Sequence, residues 1–386
     1  MAESEVFDDD ASLADKSVVQ EELKRVRGFV KELSMDDLRQ GGWFAKLLTF
    51  SLDKYVEKVD AEYFRKKYPD LPADAVVSER IQMAARYASV EGGLSAAAYT
   101  GAVAATIGSG GGASPLALPA GGASFVIDLV YTSQLQLRLA HDIAVLYRVP
   151  LDMDDPDDLW KLIGIAFAIK SGEVGRGAML KGVPAVVRPI VKKIFSGGTL
   201  AAAKSLPVVG KHLLQRNIIK MAIPGVGVPL AVGVNYWTTK TAGRHARGVF
   251  RLEAQLAEAA TRLVDASDHH GVLPWVMWTT AVADAPATSN QRGLINYVTS
   301  ELRLRGTAEE ELTDLRDVIE VDADHMVQML RDAQGDLTPL HRAAVTTVAV
   351  TGKPSKKDLL HLELIADLCG AEHDVQRVRA HARSWG

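Results

Sequence analysis

The sequence predicts an all-α protein, a multi-helix bundle with buried helices rich in small residues, followed by a small C-terminal helical domain. Three observations carry this reading. Apolar residues recur at three- and four-residue spacing along most of the chain, and no segment alternates as a half-buried strand does. Hydrophobic residues make up 47% of the 386 but aromatics only 6%, so the core has to be built from Ala, Val, Leu and Ile. Ser, Thr and Asp stand where helix caps are wanted, just before several of the periodic stretches.

Taken in order, "MAESEVFDDDASLADK" is acidic and polar, with neither a basic nor an apolar signal region. It reads as a disordered tail over residues 1–15, with no secretory signal. "VQEELKRVRGFVKELS" (19–34) is a charged helix, and Ser34 is placed to cap the next one. "FAKLLTFSLDKYVEKVDAEYFRKKY" keeps helical spacing up to Pro69. Ser78 is then expected to cap "ERIQMAARYASVEGG", which runs into "LSAAAYTGAVAATIG".

"FVIDLVYTSQLQLRLAHDIAVLY" has the firmest helical pattern. Leu135, Leu139, Ile143 and Leu146 mark one face, Gln134, Arg138 and His141 another, and the helix ends near Pro150. The acidic "DMDDPDDLW" lacks the glycine and closing glutamate of a calcium loop. It reads instead as a helix start, with Asp155 as cap, Pro156 in the first turn, and Asp157 and Asp158 complementing the helix dipole.

The main helical domain is expected over 16–305 and the C-terminal module over 306–386. In the module, "TAEEELTDLRDVIEVDADHMVQMLRDA" is one helix with a possible break near Asp322. Asp336 or Thr338 opens the next, Ser355 opens "KKDLLHLELIADLCG", and "EHDVQRVRAHARSW" closes the chain.

"GSGGGASPLALPAGGASFVIDL" (108–129) is tested against three motifs. It lacks the Lys-Ser/Thr ending of a phosphate-binding loop. It lacks the flanking glycines of a nucleophile elbow. Gly108, Gly110 and Ala113 nominally match a dinucleotide fingerprint, but no strand precedes them, and Pro115, Pro119 and Gly121–Gly122 leave no room for the required helix. Leu94 to Ile127 is 34 residues without a charge, dominated by Ala, Gly and Ser. The favoured reading is two buried helices joined by a glycine-rich connection, with Asp128 near the start of the second accepting backbone N–H bonds. Insertion of the 108–122 connection into a bilayer stays open.

Charge is distributed unevenly. The net charge is −4, yet Val174 to Leu252 contains thirteen Lys and Arg and no Asp or Glu. "VPAVVRPIVKKIFSGG" sets Val187, Ile190, Val191 and Ile194 opposite Arg188, Lys192 and Lys193. His212, Arg216 and Lys220 step four apart opposite Leu214, Ile218 and Met221. Such a helix suits an anionic lipid interface. Pairing with the acidic remainder of the chain is the alternative. Nucleic acid is disfavoured, because the aromatics are too scattered to stack bases.

The order of these segments resembles the EcsC family of bacterial proteins over roughly Ser78 to Arg251. It runs from the Gly/Pro-interrupted block through "IDLVYTSQLQLRLAHDIAVLY" and "DMDDPDDLW" to "LPVVGKHLLQRNIIKMAIPGVGVPLAVGVNYWTTKTAGRHARGVF". Where members tend to have glycine after the tyrosine, this chain has Arg148 after Tyr147. The resemblance implies a helical, membrane-associated bacterial protein of poorly defined activity, linked by name to an exporter of the ATP-binding-cassette type. The C-terminal cluster resembles the TerB-like helical domain, some members of which carry metal-binding acids after the first helix. Thr351 stands here where an aspartate would be, and Asp358 is the plausible carboxylate.

The functional expectation is a non-enzymatic, cytoplasmic protein, peripheral to the inner face of the cell membrane and serving a membrane transport complex. Arg188, Lys192, Lys193, Arg216 and Lys220 would face anionic lipid. The lone Cys369 fits a reducing compartment. No cofactor and no metal is expected, since no His-Glu-x-x-His motif occurs. A lipid-modifying enzyme or hydrophobic-ligand binder would have its site at Asp128, Arg138 and His141. Surface solvation and an Arg138–Asp142 pair explain Arg138 and His141 as well. A soluble interaction scaffold is the third reading. His269–His270 are read as a helix end before a buried anchor at Trp275 and Trp278, with a lipid-interface role for the two rings as the alternative.

Overall fold

The computed structural model describes residues 13–108, 114–151, 153, 156–167, 207, 209–210, 213, 227–307 and 323–385. These contain fourteen helices and no strand, so the fold is all-α. Two compact units divide the chain, Met1–Phe250 and Arg251–Gly386.

The first unit holds α1 (Leu13–Glu32), α2 (Met35–Gln40), α3 (Trp43–Val56), α4 (Ala61–Lys67), α5 (Ala73–Gly108), α6 (Ser114–Leu146), α7 (Pro156–Ala166) and the start of α8 (Gly227–Ala266). Ser34 caps α2 as its sequence implies. Its hydroxyl accepts from the Asp37 N–H, and the Asp37 carboxylate accepts from the Ser34 N–H in return. The long stretch expected to run to Pro69 is two helices, because Asp60 turns its side chain onto the Tyr63 N–H and starts α4 afresh.

Ser78 caps nothing. α5 begins five residues earlier, at Ala73, with Pro72 supplying the first carbonyl, and the Ser78 hydroxyl donates back to the Asp74 carbonyl. α6 begins at Ser114 and continues through Pro119 and Gly121–Gly122, so the prolines do not bar a helix there. Pro115 occupies the first turn, where the N–H it lacks has no intrahelical partner anyway. The dinucleotide reading still fails, because a helix and not a strand precedes the glycines.

α5 and α6 run antiparallel, with Arg80 meeting Asp142 and Asp74 meeting Tyr147 at one end. α8 lies against both. A Cβ at Gly243 would come within 2.9 Å of the Ile81 and Leu139 side chains, so a larger residue there would force them to shift. α1 and α3 cover α6 from the other side, through Glu22 and Tyr55. Trp43, Phe44, Leu47 and Leu48 of α3 are fully buried.

α6 ends close to the expected Pro150, and Arg148 just beyond it has φ +57. This left-handed conformation is the one that glycine adopts at no steric cost. Arg148→Gly is expected to raise the unfolding free energy by up to about 1 kcal/mol, measured by urea denaturation. A loss of stability would mean that the arginine side chain contributes more than its backbone costs.

The second unit comprises the end of α8 with α9 (Leu273–Val282), α10 (Ser289–Leu304), α11 (Ala323–Asp332), α12 (Thr338–Ala349), α13 (Lys356–Cys369) and α14 (Val375–Arg383). Leu256, Leu263, Met277, Leu294, Leu340, Ile365 and Val378 belong to one continuous core. Residues between 251 and 305 therefore share their core with the C-terminal helices, and the boundary drawn at 305/306 from the sequence moves back into α8. Thr288, Ser355 and Asp374 cap α10, α13 and α14. The Asp336 carboxylate accepts from the N–H and hydroxyl of Thr338 at the start of α12. Trp275 is a buried anchor at 5% exposure, which removes it from any lipid interface.

Candidate functional site

α6 carries all three residues of the catalytic alternative, and the structure does not bring them together. Asp128 and Arg138 are ten residues apart on one helix, about 15 Å along its axis. Asp128 is not near the start of α6 but well inside it, since the helix begins at Ser114. Its neighbours' N–H groups are engaged within the helix, and its carboxylate accepts instead from Asn235 Nδ2 of α8 at 2.6 Å.

Arg138 and His141 do share an environment. The Arg138 guanidinium lies 4.7 Å from the Tyr55 ring centroid, and the His141 ring meets the same tyrosine edge-on at 5.9 Å. Arg138 donates to the Ser51 carbonyl and to Glu22, both at 3.0 Å. With the Gln134 amide oxygen turned towards it, the guanidinium gains a further acceptor at 2.6 Å. The face marked by Gln134, Arg138 and His141 is thus covered by α1 and α3 rather than solvated, with Gln134 at 3% and His141 at 6% exposure.

The expected Arg138–Asp142 pair does not form. Asp142 is fully buried and accepts from the Tyr55 hydroxyl at 2.7 Å, from Arg80 Nε at 2.9 Å, and from Arg80 Nη2. A bidentate guanidinium satisfies a buried carboxylate better than a single neighbour on the same helix could. Burial, then the adjoining Asp142 carboxylate, push the Tyr55 phenol well above its usual range. Burial opposes the charge on Arg80, but Asp142 outweighs it and raises the guanidinium pKa further. Burial pulls His141 below its usual value, against the opposing influence of Asp142, which keeps the ring neutral at pH 7. The result is an ion-pair network that fastens α1, α3, α5 and α6 together, with the His141 Nδ1 buried beside it.

Sequence reading missed Tyr55, Arg80 and Asp142 as partners. The signal was there for Asp142, which falls three residues after Leu139 and seven after Leu135, on the apolar face of its own helix. A charge in that position needs a buried partner. Its identity is a matter of tertiary packing.

The five lipid-facing candidates Arg188, Lys192, Lys193, Arg216 and Lys220 lie outside the described residues. The acid-free stretch is described chiefly in α8. There Trp237 is 66% exposed, and Arg244 and His245 are exposed on the same side. The Lys240 ammonium sits 5.0 Å from the Tyr236 ring centroid and donates to the Tyr236 hydroxyl at 3.1 Å. Arg247 turns inward, donating to Asp74 and to Ser78 at 3.1 Å each. Arg247 therefore pairs within the protein, while Trp237, Arg244 and His245 are exposed on the turns around it.

Comparison with protein families, curated proteins and solved structures finds no match. Among the described residues, no group of His, Cys, Asp or Glu is arranged to hold a metal ion. Asp358, the carboxylate expected of a TerB-like site, instead accepts from the Ser355 N–H at 2.9 Å within the α13 cap. No described helix is long and apolar enough to cross a membrane.

Proposed function

We propose that the protein is a peripheral, non-enzymatic lipid-contacting protein that assists a membrane system from the inner face of the cell membrane. The observation that carries this reading is the exposed face of α8, where Trp237, Lys240, Arg244 and His245 follow one another in a stretch without a carboxylate from Val174 to Leu252. An indole and cations on one helix face suit the boundary between acyl chains and anionic head groups. Arg188, Lys192, Lys193, Arg216 and Lys220 belong to the same stretch and add to the attraction. The EcsC-like order of segments agrees with this reading.

Co-flotation with vesicles tests it. The protein is expected to float with anionic vesicles at low salt, to bind less at physiological salt, and to ignore neutral ones. Each basic residue near such a surface contributes about 1 kcal/mol, so Arg188→Glu/Lys192→Glu/Lys193→Glu should weaken binding by roughly 100-fold or more. Failure to float with anionic vesicles at low salt would overturn the proposal.

A further inference from the structure

Three helices of the first unit lose their charges at the same end. Arg80 faces Asp142, so α5 and α6 run antiparallel in a known register. A Cβ on Gly93 would touch Val232, and Asn235 bonds Asp128, which sets the start of α8 at the level where α5 leaves Glu91 and α6 reaches Asp128. Beyond that level no Asp, Glu, Lys or Arg occurs in α5 from Gly92 to Gly108, in α6 from Ser114 to Ile127, or in α8 from Gly227 to Thr239.

The last acids before the boundary do not face solvent freely. Glu91 is fully buried, and Asp128 is bonded to Asn235. Among the described side chains at that level, Trp237 is exposed, with Tyr236 and Lys240 within one turn of it, and Leu94 of α5, at 39% exposure, lies beside the exposed Lys24 and Arg27 of α1. A charge-free end with an exposed indole, a phenol and an ammonium at its rim matches the polarity profile of one bilayer leaflet.

We infer that this end of the α5–α6 pair, with the start of α8, enters the acyl region of one leaflet and places Trp237 and Lys240 at head-group level. The inference rests on the lipid-contact reading and deepens it from surface attraction to partial insertion. The charge-free parts of α5 and α6 measure about 25 and 21 Å, short of the roughly 30 Å hydrocarbon core, so they reach in without crossing. One leaflet supplies only about half of that thickness, so the pair enters strongly tilted to stay within it. Ala and Gly gain little on transfer to lipid, so insertion depends on the rim of aromatic and basic groups. That same rim disfavours a second copy of the chain as the occupant, because apposed ends would bring like charges together.

The test uses the full chain carrying Ala104→Cys labelled with an environment-sensitive dye. The unsubstituted protein serves as the blank, its Cys369 being buried. On binding anionic phosphatidylglycerol vesicles, dye emission should rise several-fold and be quenched by nitroxides on the acyl chains more than by nitroxides at the head group. A second measurement substitutes only an exposed side chain. Brominated acyl chains should quench wild-type emission more than that of Trp237→Phe, and Trp237→Ala should weaken vesicle binding roughly tenfold. Flotation without quenching of either probe would overturn insertion and leave the surface-contact reading standing. No flotation would remove both. A dye already shielded without lipid, in a protein that sediments as a dimer, would give this end to a second copy and overturn the inference.

Discussion

Arg80→Met is expected to lower the unfolding free energy of the first unit by about 3–5 kcal/mol, because it leaves the fully buried Asp142 carboxylate without its counter-charge. The Tyr55 hydroxyl, 2.7 Å from that carboxylate, cannot replace a bidentate guanidinium. Asp142→Leu should cost a similar amount for the mirror reason, since Arg80 would keep its charge over the Phe64 ring with no acid to accept from it. The double variant Arg80→Met/Asp142→Leu should recover most of the loss, because a buried pair exchanged for apolar groups of similar size is close to neutral. Urea denaturation of the four proteins closes a double-mutant cycle. A double variant as unstable as the sum of the singles would show that these side chains act independently and that the network does not fasten the helices.

The second large effect is expected at a backbone crossing. Gly41 has φ +82, and a Cβ built there would fall within the Pro207 carbonyl, while a Cβ on Gly210 would overlap the Gly41 carbonyl. The turn after α2 and the Pro207–Gly210 backbone approach so closely that neither position has room for a side chain. Gly41→Ala should destabilise by about 2–4 kcal/mol, combining overpacking with left-handed strain. Gly210→Ala separates the two contributions, since no positive φ is involved there. A loss comparable to that of Gly41→Ala would assign the effect to the clash. If Gly41→Asn, which tolerates the left-handed region, restored full stability, strain alone would be the cause and the crossing would be looser than described. The crossing also bears on the acid-free stretch, because Pro207, Val209 and Gly210 belong to it and Val209 is fully buried. Part of that stretch is interior, so the proposed lipid contact would fall to other turns.

Local chemistry explains which features were legible in the sequence. A capping box is written in four consecutive residues, so Ser34–Asp37 and Ser355–Asp358 could be read directly, and both form. Helical periodicity and the absence of alternation were enough for the all-α class. Ser78 misled because a serine before charged residues looks the same whether it caps a helix or sits in its second turn. Pro72, six residues earlier, decides between them.

The site residues divide in the same way. Arg138 and His141 were visible as polar residues at helical spacing, but nothing along the chain says that α1 and α3 cover that face or that Glu22, 116 residues away, supplies the ion pair. Arg80 and Asp142 are 62 residues apart and find each other because α5 and α6 fold back as a pair. The boundary expected at 305/306 had a similar cause, since local spacing places helices without saying which core each of them joins.

By itself the sequence determined the secondary-structure class, the capping boxes at Ser34 and Ser355, the single cysteine, and the segregation of basic from acidic residues. All of these depend on neighbours within about one helical turn or on simple counting. Tertiary structure decided which charges are spent inside the protein and which remain outside. Asp142, Arg80, Arg138 and Arg247 pair within the first unit, while Trp237 and Arg244 are left to solvent. The physical reason is that the free energy of a charge depends on what surrounds it, through desolvation and the distance to a counter-charge. Those surroundings are assembled from segments far apart in the chain.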